Sequence, residues 1–141
     1  MTPLEALQQT LAGEHAAVYV YGVLGGRVSS SQQPRLATRL SSAYATHRAR
    51  RDQLMSMVRA AGGDPVAAAV SYRLPHLSRT AAQLAAGARV TERRCADVYA
   101  ACVASTSRAD RRWAVDALGD SAVRELSFGG TPARFPGIEE L

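Results

Sequence analysis

The sequence predicts an all-α fold, a four-helix bundle, and three observations carry that prediction. Alanine is abundant, and β-branched runs bounded by turn residues are rare. Four long segments place apolar residues at alternating steps of three and four, the spacing of a helix with one buried face. Each of these segments opens at a capping residue or a proline and closes at a glycine pair or a serine-rich break. With 141 residues, the chain reads as a single bundle domain over 1–141, long enough to bury a core.

The first helix is expected over 3–27. Thr2 can cap it, Pro3 suits the first helical position, and Glu5 completes a capping box. Its seam runs Leu4, Leu7, Leu11, Glu14, Val18, Tyr21, Gly25 and Val28, a bundle seam with one acid in its middle. A polar turn, Ser29 to Gln33, precedes Pro34, which opens the second helix. That seam reads Leu36, Leu40, Tyr44, His47, Arg51, Leu54 and Val58, and Gly62-Gly63 ends it.

Residues 64–77 hold two prolines and show no helical period. A loop of this length inside a compact domain calls for a reason. Fourteen residues extend to about 45 Å, and a helix of about 28 residues is about 42 Å long. The connection can therefore run the length of the bundle and deliver the third helix parallel to the second, a one-crossover topology. Thr80, or Ser78, caps the third helix, with Gln83 three residues after Thr80. The third seam includes Ala81, Ala85, Ala88, Glu92, Cys95, Tyr99 and Cys102. Ser105-Thr106-Ser107 breaks it. Ser107 and Asp110 read as another capping box, and the fourth helix follows over 108–127. Val115, Leu118, Ala122 and Leu126 are expected on its core face, with Trp113 alongside. After Gly129-Gly130 the tail holds two prolines and reads as an extended C-terminal strap, pinned by Phe135 and Ile138.

Glu14, His47 and Glu92 each lie at the centre of a helix, on its apolar seam, and so at one depth in a bundle. A buried carboxylate without a partner is costly. Two in one layer must be neutralised by protons, a metal or arginine. Arg51, one turn after His47 on the same face, is the expected internal cation, with Arg50 as the alternative if the face is rotated. Tyr44, three residues before His47, can offer its hydroxyl to the layer. His15 is placed about 100° round the helix from Glu14, facing out or lining an interface. His76 is expected at the surface of the crossover.

These residues resemble those of the ferritin-like superfamily. More closely, the chain is similar to an actinobacterial ferritin-like family of unknown function, the DUF4439 type. The matching segments are EHAAVYVYGVLGG at 14–26, HRARRDQL at 47–54, YRLP at 72–75 and FPGI at 135–138. Di-iron members of the superfamily take Glu from one helix and Glu-x-x-His from the next, then repeat the pair. By that resemblance Glu14 matches the first acid, His47 the histidine, and Glu92 the third-helix acid. Tyr44 stands where the second helix would carry glutamate, and the fourth helix has no Glu-x-x-His. The resemblance thus implies a degenerate di-iron-type site. One reading is a metal-free buried network or small-ligand pocket of Glu14, Tyr44, His47, Arg51 and Glu92. The alternative is a mononuclear iron or manganese site on Glu14, His47 and Glu92, serving an oxidoreductase or peroxide-handling protein.

The net charge is +5, and all 17 basic residues are arginine. The eight aromatics are not interleaved with the arginines, which argues against nucleic-acid binding. No basic stretch followed by an apolar core opens the chain, and no stretch approaches 18 apolar residues, so neither a secretory signal nor a membrane span is expected. Cys95 and Cys102 stand about 10 Å apart along one helix, too far for a disulfide. A reducing, cytoplasmic setting suits them. Gly22, Gly25 and Gly26 are read as a face permitting close helix approach in a homodimer. No nucleophile–base pair, phosphate loop or cofactor fingerprint is present, and the expectation leans to a protein that is not an enzyme.

Overall fold

A computed structural model describes residues 1–138. The elements are α1 (Pro3–Arg27), α2 (Pro34–Ala60), α3 (Ala81–Ser105) and α4 (Arg108–Ser127), with no strand among the described residues. The start of α1 is closed by reciprocal bonds. The Glu5 N–H donates to Thr2 Oγ1 at 3.2 Å, and the Thr2 N–H donates to Glu5 Oε2 at 2.7 Å. Thr80 and Gln83 do the same for α3. Gly62, at φ +82°, turns the chain out of α2 in a conformation that costs glycine nothing. The expected box at α4 does not form, because the Ser107 side chain makes no capping bond. Arg108 behind it takes φ +52°, so the chain enters this helix from a left-handed residue.

Cross-helix pairs set the topology. Glu14 meets His47, and Leu4 approaches Gly63, so α1 and α2 are antiparallel. Tyr21 meets Glu92 and Tyr99 meets Glu14, so α1 and α3 are antiparallel. Therefore α2 and α3 run parallel, as the crossover length predicts. Residues 61–80 make the crossing along α1. Gln8 clamps its start, accepting from the Val66 N–H at 2.9 Å and donating to the Asp64 carbonyl at 2.5 Å. Tyr72 packs on Tyr19 further along, and Arg27 reaches the Leu77 carbonyl at the far end. His15 is one of these clamps. It is buried beneath the crossover, with Nε2 2.9 Å from the Val66 carbonyl.

Apolar clusters fill both ends of the bundle. Val20, Leu24, Leu40, Ala43, Leu84 and Phe128 close one end, and Leu7, Leu11, Leu54, Val58, Cys102 and Ala114 the other. Between them lies a layer that is polar and equally dry. The fourth helix departs from expectation. Its buried line is Ala114, Ala117, Ser121 and Glu125, while Val115 is 50% and Leu126 40% exposed. The phase is one residue off the apolar pattern, because the helix turns toward polar partners on α3. The Ser121 hydroxyl donates to Glu92, and Glu125 accepts from Arg93 at 2.6 Å. In the strap, Phe135 is 67% and Ile138 58% exposed, so neither pins it. Contact comes instead from Gly137, at φ +75°, whose backbone lies so close to Ala96 and Ala100 of α3 that a Cβ would collide with them. The last three residues of the expected strap lie outside the described residues.

Candidate functional site

The midpoint layer is built around His47. Its Nδ1 stands 2.7 Å from Glu14 Oε2 and its Nε2 3.1 Å from Glu92 Oε1, and all three side chains are sealed from solvent. A neutral imidazole carries one N–H and can donate to only one of these oxygens. Both nitrogens face carboxylate oxygens, so the arrangement calls for imidazolium. Burial opposes that charge. The hydrogen bonds to Glu14 and Glu92, together with their negative charges, outweigh it and push His47 up to about 9. For Glu92, burial again favours the neutral form. The bond and charge of His47, with bonds from Ser121 and Tyr21, overcome it and hold the carboxyl below its usual value. The Tyr21 ring stacks on His47, centroids 5.2 Å apart at 16°, presenting a π face to the buried cation.

Each carboxylate oxygen has a protein donor. Glu14 Oε2 takes His47, and Oε1 takes the Tyr99 hydroxyl. Glu92 Oε1 takes His47 and, at 2.5 Å, the Tyr21 hydroxyl; Oε2 takes Ser121. Burial keeps both phenols protonated far above the ordinary tyrosine range, so they remain donors. Two guanidiniums complete the charge balance. Arg124 Nε lies 3.5 Å from Glu92 Oε1, and Arg50 donates to the Tyr99 oxygen at 3.2 Å. Asp120 holds both, accepting from Arg50 at 2.5 Å and Arg124 at 2.8 Å.

The two halves of the chain supply this layer in register. On α1 the sequence is Glu14 then Tyr21, and on α3 it is Glu92 then Tyr99, seven residues apart each time. Each tyrosine crosses to the other helix's glutamate, as antiparallel helices with equal spacings allow. On α2 and α4 the pairs are His47 then Arg50 and Ser121 then Arg124, three apart each time. The layer is therefore close to two-fold in plan. It is asymmetric in two places: the first half has imidazole where the second has a hydroxyl, and the second half has Asp120 where the first has Thr46.

Two residues expected in the layer stand elsewhere. Arg51 turns outward to Asp52 at 2.7 Å. The buried line of α2 passes through Ala43, His47 and Leu54, and positions 50 and 51 straddle it. Arg50 takes the flank facing α3 and α4. Tyr44 packs in the apolar end cluster beneath Arg48, whose guanidinium sits 5.6 Å from the ring, and its hydroxyl makes no hydrogen bond among the described residues. The glycine patch is also divided. Gly22 faces Tyr44 within the chain, while Gly25 and Gly26 have nothing near them. His76 is exposed, as expected. Tyr21, Tyr99, Ser121 and Arg124 were not singled out from sequence as layer residues. The repeated seven-residue Glu-to-Tyr spacing was the available signal.

The fold and site thus define a four-helix bundle with one parallel crossover and a buried carboxylate–imidazolium–carboxylate layer. The chain belongs to the family of the domain of unknown function DUF4439, which matches residues 6–140. Among solved structures it is similar to a conserved hypothetical protein, rv2844, from Mycobacterium tuberculosis. That similarity is 33% identity over 89% of this chain and 93% of that one, with a TM-score of 0.82. Comparison with curated proteins finds no match.

Proposed function

We propose that this protein is a ferritin-like bundle in which a proton on His47 takes the place of metal, leaving a non-enzymatic scaffold organised round a buried ion network. The position of His47 between Glu14 and Glu92, bonded to both, carries the reading. A ligating imidazole must turn a lone pair toward the ion. Here both ring nitrogens are committed to the carboxylates that would be its fellow ligands, and those carboxylates are saturated by Tyr21, Tyr99 and Ser121. The donor set does not fit a metal ion in this arrangement. The crossover topology and the two-fold plan of the layer support descent from a ferritin-like site whose second histidine position is now Ser121. Such a network favours one packing over its competitors, because any shift of register strands a buried charge.

The reading also includes a cytoplasmic setting, in keeping with two buried free cysteines, and no helix among the described residues is long and apolar enough to cross a membrane. Elemental analysis of protein purified without tag or chelator tests it, repeated on Glu14→Ala. Trace metal that the substitution leaves unchanged is expected. About one equivalent of iron or manganese, lost in Glu14→Ala, would overturn it in favour of a mononuclear oxidoreductase.

A further inference from the structure

A cavity of about 350 Å³ opens between α1, α3 and the crossover. Its walls are apolar and small, formed by Ala16, Ala17 and Val20 from α1 and by Cys95 and Val98 from α3. Burial, with the charges of Glu14 and Glu92 beyond it, pushes the Cys95 thiol up, so the floor is an uncharged S–H. The rim has the opposite character. Tyr72, Arg73 and Arg94 line it. Tyr72 is fixed by its ring contact with Tyr19 and by the Ala69 N–H on its hydroxyl. Neither Arg73 nor Arg94 has a hydrogen bond or ion pair among the described residues, whereas Arg50, Arg51, Arg93 and Arg124 are all paired with acids. Two uncommitted guanidiniums at the mouth of a largely apolar pocket match a molecule with one anionic head and a short apolar body.

We infer that this cavity is a binding site for a medium-chain carboxylate, its tail against Ala17, Val20, Cys95 and Val98 and its head between Arg73 and Arg94. The size fits a single short chain, since the cavity lies at the lower end of the range for small-ligand sites, about 300–1,000 Å³. The site lies across Cys95 from the midpoint layer, so it does not depend on the protonation or metal content of that layer.

Isothermal titration of the intact protein with decanoate tests the inference, with decanol as the uncharged comparison. Saturable one-to-one binding of decanoate is expected. The double substitution Arg73→Glu/Arg94→Glu, confined to exposed side chains, should weaken it by about tenfold or more. Ala16→Phe should abolish it by filling the cavity, with circular dichroism confirming the helices. Absence of saturable binding to wild type would overturn the inference. So would equal affinity in the arginine double variant, or decanol binding as well as decanoate.

Discussion

If His47 is an imidazolium in the folded chain, stability must fall with rising pH in a defined window. The folded value of about 9 lies above the ordinary 6.5. Folding therefore strengthens proton binding, and the contribution is complete below the unfolded value and lost as pH rises through the folded one. The difference corresponds to about 3 kcal/mol for a side chain sealed from solvent. Roughly 1 kcal/mol of that should disappear between about pH 6 and about pH 7.5, a range that stops short of ordinary cysteine and tyrosine titration. Urea unfolding followed by far-ultraviolet circular dichroism measures it at each pH. His47→Gln is the control. It leaves Glu14 and Glu92 without their buried cation, so it should be less stable by about 3–5 kcal/mol at the acid end. It should also lack the His47 part of the slope. If wild type and His47→Gln lose the same stability across this window, the imidazolium assignment and the charge balance built on it are wrong.

Tyr99→Phe removes the donor to Glu14 and the acceptor for Arg50 together, and should cost about 1–3 kcal/mol by urea unfolding; an unchanged midpoint would mean that water replaces the hydroxyl. Arg124→Leu should destabilise by about 2 kcal/mol or more, because it uncovers buried Glu92 and leaves Asp120 with Arg50 alone. Arg51→Leu should stay within about 0.5 kcal/mol, since that guanidinium meets only its exposed neighbour Asp52; the reverse order of the two would restore Arg51 to the layer. Gly137→Ala should release the strap from α3 and speed its cleavage in limited proteolysis, while leaving the melting temperature nearly unchanged. Equal cleavage rates would show that the strap is held by something other than close backbone contact.

Local chemistry by itself determined the four helices, their ends at Thr2, Gly62 and Thr80, and the depth of Glu14, His47 and Glu92. These follow from capping, from glycine's backbone freedom and from the midpoint of each amphipathic run, none of which needs a partner helix. The crossover was legible for a similar reason, because chain length against helix length admits few routes. Tertiary structure alone decided the rotational phase of each helix and which side chains cross to another. Positions 50 and 51 flank the same buried line, and only the placement of Tyr99 and Asp120 selects Arg50. On α4 the apolar pattern pointed to Val115 and Leu126. The helix instead turns Ser121 and Glu125 inward, since buried Glu92 needs a donor more than two aliphatic side chains need burial. A rotation of one residue, about 100°, leaves the helical period intact while exchanging the face that meets the core, and that choice belongs to the packed bundle.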